Sequence, residues 1–465
     1  MQNYAIFSIY RAFISIFFNN FASRNRYDYK IKMNKRLFAT ILTGAITLSG
    51  MAQISKTLSP YSMYGLGTLA DQSQGFNRAM GGLSMGLRGG TIVNMLNPAS
   101  YSAVDSLTMI FDMGVSGQIT NFKEGGVSMN RKTAGFDYAT ALFRVMPKMG
   151  VSVGVMPFTN IGYAFNFSER VGETSTSSVM AYEGDGGFSQ AYLGIGYQVL
   201  KCLSIGANFS YFWGYYDKEL VITTSDSYVN TVTKSYETHV SSYKIDLGVQ
   251  FQKPLNTNNM LTVGATVGIG HKLGADAKLS TIILNPQTSD SGEENTELKD
   301  AFSLPTTFSV GATWAHKKSL TVGADYSLQK WGSVEFPYSN DLNDRYEMSG
   351  SALLDRHKVT IGADWIPEPN PMVRRTFLKS IHYKFGASYA TPYYNIRGGE
   401  KGPREFSLSA GFAIPIINSW NNRSLLNISA QWVNSQLPNY IKENSFRINI
   451  GLTFNERWFA KWKVD

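Results

Sequence analysis

From residue 53 onward the chain keeps returning to a strict two-residue alternation, which selects extended strands with one greasy and one wet face. In 446–454, Phe446, Ile448, Ile450, Leu452 and Phe454 alternate with Arg447, Asn449, Gly451 and Thr453. Leu261, Val263, Ala265, Val267 and Ile269 do the same against Thr262, Gly264, Thr266 and Gly268. The pattern recurs over 320–328 and from Val359 to Trp365. No stretch of this part offers about 18 consecutive apolar residues, so no membrane-spanning helix is expected.

A soluble sandwich also alternates, but its wet faces carry Lys and Glu. Here they carry Gly, Ser, Thr and Asp, and large aromatics recur near strand ends at Tyr197, Phe251, Trp314, Trp365 and Phe454. Charged residues make up only 17% against 13% aromatics, with 43 glycines spread through the strand-like segments; soluble chains carry roughly 25% charged residues. A barrel in lipid needs apolar side chains outward, small polar ones inward and aromatic girdles at both interfaces. The expected fold class is therefore all-β, a transmembrane antiparallel β-barrel.

Fourteen segments fit the pattern, near 106–122, 131–146, 150–168, 188–199, 203–224, 229–252, 260–285, 297–314, 319–333, 348–366, 377–393, 402–415, 423–436 and 440–454. Tight links, such as Pro147-Lys148-Met149 and His316-Lys317-Lys318, tend to alternate with longer polar ones at 169–187, 286–296 and 334–347. The links at 224–229 and 367–376 blur that rule. The barrel is assigned to 105–454. Residues 53–104 alternate poorly and are rich in Gly, Ser and Met; a wide barrel needs a plug, and this segment is suited to fold inside the lumen.

Met33-Asn34-Lys35-Arg36, an apolar stretch and Gly50-Met51-Ala52 follow the order of a secretory signal, assigned to 33–52. Residues 1–32 read as an upstream extension from a start codon set too early. Residues 1–52 hold +6 of the net charge of +9. The remaining +3 gives little support to nucleic-acid binding. One cysteine, Cys202, excludes a disulfide within the chain.

The run Arg78-Ala79-Met80-Gly81-Gly82, then Asn97-Pro98-Ala99-Ser100 before a first strand near Ser106, resembles the FadL family of outer-membrane hydrophobic-compound channels, in its Bacteroidetes-type form. That resemblance implies an N-terminal hatch bearing an Asn-Pro-Ala motif, here Asn97, Pro98 and Ala99, plugging a fourteen-stranded barrel. It also implies sideways exit of ligand at an inward kink in the third strand. Pro157 lies inside the third segment, with Gly162 five residues on. Proline cannot donate to a ladder, so Pro157 marks a break in pairing, and with Gly162 it is the candidate lateral opening. Lys244, Asp246, Asp325, Asp364, His382, Lys384 and Arg447 fall on inward positions as a polar lumen lining, available to pair with Arg78 and Arg88.

Nothing points to an enzyme. Gly268-Ile269-Gly270-His271-Lys272-Leu273-Gly274 misses dinucleotide spacing, the five histidines lie far apart, and no GxSxG turn occurs. No cofactor or metal is expected. The leading expectation is a bacterial outer-membrane channel for passive uptake of hydrophobic small molecules such as fatty acids. The alternative is a protein secretion or assembly partner, as in the FadL-like type IX secretion shuttle PorV; the aromatic-basic tail 455–465, assigned to the periplasm, motivates it. Expected partners are outer-membrane lipid, a hydrophobic ligand, the barrel-assembly machinery and secreted proteins.

Overall fold

The computed structural model describes residues 59–106, 108–170, 176–339, 345–369, 377–396, 399–416, 424–438 and 440–456. The signal segment 33–52, the extension 1–32 and tail residues 457–465 lie outside them.

Fourteen antiparallel strands close into a barrel. They are β1 (Met109–Glu124), β2 (Val127–Met146), β3 (Met149–Pro157, resuming as Thr159–Arg170), β4 (Ser177–Gln198), β5 (Leu203–Thr224), β6 (Thr231–Asn256) and β7 (Asn259–Gly268, then Ala277–Leu284). There follow β8 (Ser291–Leu298, then Thr307–His316), β9 (Leu320–Gln329), β10 (Arg356–Trp365), β11 (His382–Ala390), β12 (Arg404–Ile416), β13 (Ser424–Gln436) and β14 (Lys442–Glu456). Pairing of β1 with β14, from Met109↔Glu456 to Lys123↔Lys442, closes the wall. Closure leaves lipid few unpaired backbone groups, which is what a bilayer demands of strands.

Alternation places the faces as a bilayer requires. Outward residues such as Phe446, Ile448 and Ile450 are about half exposed, while Asn449 between them and Thr453 further along the strand are buried. The same holds for Val359 and Ile361 against Thr360. No helix among the described residues is long and apolar enough to cross a membrane.

The wall is taller on one side than on the other. β4 and β5 run 22 residues each and β6 runs 26, against 10 for β9 and β10. Much of 169–187 and 286–296, read as loops, is strand: β4 begins at Ser177 and β8 at Ser291. Their Glu, Asp and Gly content is that of loops, but neighbouring strands impose the ladder, because strand preference follows context.

Inside, residues 59–106 form short helical turns and coil whose backbone rests directly on the wall. Gly150, Gly196, Gly206 and Gly248 pair side by side across β3 to β6 and face this segment. A Cβ on Gly206 would meet the Ala99 nitrogen and the Pro98 oxygen at 2.5 Å. Gly362 and Gly386, paired across β10 and β11, leave the same room for Met80. Met80 and Leu83 are fully buried, each contributing roughly 1.5–3 kcal/mol.

At the long-loop end an aromatic cluster joins the N-terminal segment, the wall and the loops. Tyr61 and Leu66 of the N-terminal segment, Tyr163 and Tyr216 of the tall wall, and Phe302, Trp331 and Tyr393 of the loops are all buried in it. Trp331 and Tyr393 lie 5.0 Å apart, and Phe302 packs edge-on against Tyr216 and Phe336 at 5.6 Å.

Gly206→Val is expected to push the N-terminal segment off the wall at a cost of about 1–3 kcal/mol. Limited proteolysis of the detergent-folded barrel should then cut within 59–106. Gly117→Val, placed where an added Cβ meets open space, should leave that protection intact. Equal cleavage of both variants would refute the close-contact account.

Candidate functional site

The wall is broken between β2 and β3. Their ladder runs from Met146↔Met149 to Ala139↔Val155 and stops. Beyond it, β2 pairs only with β1, while Thr159–Arg170 of β3 pairs with β4 and, through Asn160 and Thr159, with the two-residue strand Thr68–Leu69.

Local sequence explains the break. Pro157 ends the lower half of β3, and its carbonyl accepts the Gln72 Nε2 at 2.7 Å. Phe158 turns inward, donating to the Phe188 carbonyl at 2.7 Å, accepting from Ala70 N–H at 2.9 Å and packing edge-on against Phe212. Gly162 donates to Ser62 Oγ at 3.1 Å, and its carbonyl accepts Ser59 N–H at 3.0 Å. β4 follows the bend at Gly186 and Gly187, whose φ of 130° and 137° suit glycine. On β2 the register shifts opposite Gly114/Val115. This bulge leaves Asp137 and Tyr138 both buried.

The gap opens on a small pocket, about 50 Å³, walled by Thr133, Gly135, Asp137, Pro157 and Asn160. Behind it lies a lumen cavity of about 300 Å³, and the two share Thr68–Asp71, Gln118 and Arg447 as walls. The cavity is ringed by charge: Lys244, Asp246, Asp325, Arg356, Lys358, Glu405, Glu443 and Arg447 all line it.

Arg78 ties the N-terminal segment to the gap. It is 2% exposed and donates to Asp137 Oδ2 at 2.6 Å, to the Ser73 carbonyl at 2.9 Å and to the Asp71 carbonyl at 3.2 Å. Gly75 N–H donates to Tyr138 Oη at 2.6 Å, and Tyr138 donates to Asp112 Oδ1 at 3.1 Å. Burial pushes the Asp71 carboxyl up, but the Arg78 guanidinium and the Ser73 hydrogen bonds outweigh this and hold it below its ordinary 3.8.

The sequence-predicted residues fall into separate places. Asn97 caps the helical turn Pro98–Ala103, accepting Ala99 N–H at 3.2 Å, and donates to the Met85 and Val249 carbonyls at 2.9 and 3.2 Å. Pro98 packs on Gly206 and Gly248, and Ala99 is fully buried. Asp325 accepts Ser84 and Met85 N–H at 2.6 and 3.0 Å, and Lys384 donates to the Phe76 carbonyl at 2.7 Å. Lys244 pairs with Asp246, His382 with Asp364, and Arg447 with Gln118. Arg78 pairs with Asp71 and Asp137, not with any carboxylate of that set, and Arg88 reaches Gln250 and the Ala99 carbonyl.

Asp137, Asp112, Asn208 and Gln250 were not singled out from sequence. The signal for Asp137 was present: Asp137-Tyr138 puts two polar-tipped residues in succession and interrupts the alternation of β2. No group of His, Cys, Asp and Glu suited to a metal occurs among the described residues.

Arg78→Met should strand Asp137 and Asp71 without their cation and destabilise the fold by about 3 kcal/mol, read from denaturant unfolding of the micelle-bound protein. Because Asp71 has a lowered folded pKa, its contribution stands at neutral pH and is lost only as pH falls below the ordinary carboxylate range. Wild-type unfolding should therefore show an acid-dependent loss in that range that Arg78→Met lacks.

A family model described as BamG matches residues 33–465, and no curated protein matches. Among solved structures, the CymD monoaromatic hydrocarbon channel superimposes with a TM-score of 0.54 at 14% identity, over 84% of this chain and 99% of that one. The Ralstonia pickettii toluene transporter TbuX gives 0.54 at 14%, over 81% and 97%. A FadL homologue of Pseudomonas aeruginosa gives 0.55 at 10%, over 84% and 99%. At these identities the shared property is the FadL-type barrel fold. With the family match spanning nearly the whole sequence, the chain belongs to the BamG family.

Proposed function

We propose that this chain is an accessory barrel of outer-membrane protein assembly, a FadL-type wall used as a partner rather than as an open pore. The observation that carries this is the filled lumen. The N-terminal segment lies in van der Waals contact with wall glycines, aromatic side chains pack together at the long-loop end, and the remaining cavity is lined by polar and titratable side chains. An apolar ligand in such a cavity would desolvate charges without replacing their partners. The BamG name of the matching family model, which suggests association with the barrel-assembly machinery, supports the same reading.

Tagged protein extracted from envelopes in mild detergent should hold the core barrel-assembly subunit through size exclusion, and depletion should lower the folded amount of other outer-membrane barrels. Purification free of that subunit, with unchanged barrel levels on depletion, would end this reading.

A second reading is passive uptake of hydrophobic small molecules, fatty acids among them. The sideways gap continuous with the lumen cavity favours it, as do the channels whose fold the chain shares. On this reading Pro157 and Gly162 shape the exit and Asn97-Pro98-Ala99 belongs to the moving hatch. Liposomes carrying the protein should then take up a fluorescent fatty acid faster than empty ones, and Pro157→Val should slow uptake severalfold. Uptake equal to empty liposomes rules the reading out; uptake that Pro157→Val leaves unchanged removes the gap from it.

A further inference from the structure

We propose that the free edge of β2, residues 128–136, accepts a transmembrane β-strand from another barrel protein. The inference deepens the assembly reading, on which it rests, by naming the docking surface. It comes from an asymmetry between the two lips of the wall break. Over Phe158 to Gly162 the β3 lip is satisfied from inside, since Ala70, Thr68–Leu69, Ser62 and Ser59 take up its backbone groups, while beyond Gly162 it pairs with β4. On the β2 side, residues 128–136 pair with β1 alone, and no other backbone bond reaches them among the described residues.

That edge is partly at bilayer depth. Opposite it on β1 the outward residues are apolar and exposed, Ile119 against Lys132 and Val115 against Phe136. Open sheet edges facing lipid are avoided because nothing there replaces the lost hydrogen bonds. A row of unpaired N–H and C=O groups repeating along a strand is matched by another extended backbone. Arg131 and Lys132 are exposed along this edge, which favours an incoming strand bearing a carboxylate. The occupant that fits is an alternating apolar and small-polar strand with one acidic residue.

The test uses the full chain in lipid nanodiscs and a synthetic peptide of Leu320–Gln329, which alternates in this way and carries Asp325. Hydrogen exchange of amides 128–136 should slow at least tenfold with the peptide and not with a scrambled one lacking alternation. Ala134→Pro should abolish the slowing. Because that variant can fail to fold, the wild-type comparison of the two peptides decides alone. Unchanged exchange, equal slowing by both peptides, or full protection before any peptide is added would each overturn the proposal, the last because the edge is then already covered by water-excluding contacts or a second copy. If the peptide fails while the assembly subunit still co-purifies, the surface is wrong and the assembly reading stands.

Discussion

Backbone-to-backbone contact between the N-terminal segment and the wall is the constraint on which the rest of this structure depends. Interior packing tolerates few voids and fewer overlaps, so the main chain around Met80 and Pro98 can reach the strands only where the wall carries no side chain. The glycines supply that absence at one level around much of the barrel, paired across β3 to β6 and again across β10 and β11. The Asn97 amide then has wall and segment carbonyls within hydrogen-bond reach. A plug held this closely leaves a lumen cavity of about 300 Å³.

The same segment determines where the wall fails to close. Proline at 157 and the inward turn at Phe158 free the upper half of β3, and Ser59, Ser62 and Thr68–Leu69 capture it. On the other lip the bulge at Asp137 turns a carboxylate toward Arg78. The N-terminal segment is thus bound to both sides of the break. Its position and the width of the gap are physically linked, because the contacts that hold one define the other.

Polarity separates this lumen from a simple hydrocarbon path. Lys244 with Asp246, Arg356 with Glu405 and Arg447 with Gln118 are arranged around the cavity. The bulk of the buried apolar side chains is spent on the aromatic cap and on anchoring the plug. The fold is that of known channels, but fold alone does not carry function; the interior here is polar and ion-paired.

Local periodicity was enough to read the fourteen strands, the outward aromatics at Trp314 and Trp365, and the inward polar set, because alternation is a property of neighbours in the chain. The proline that interrupts β3 was legible for the same reason. The upper parts of β4 and β8 were not, since their loop-like composition becomes strand only when a partner supplies the ladder. Nor could alternation reveal that Arg78 would meet Asp137, that wall glycines lie beneath Pro98, or that the N-terminal segment would take up the backbone of Phe158 to Gly162. Those facts depend on strand register and on the depth of the plug, which are settled by contacts between residues far apart in sequence.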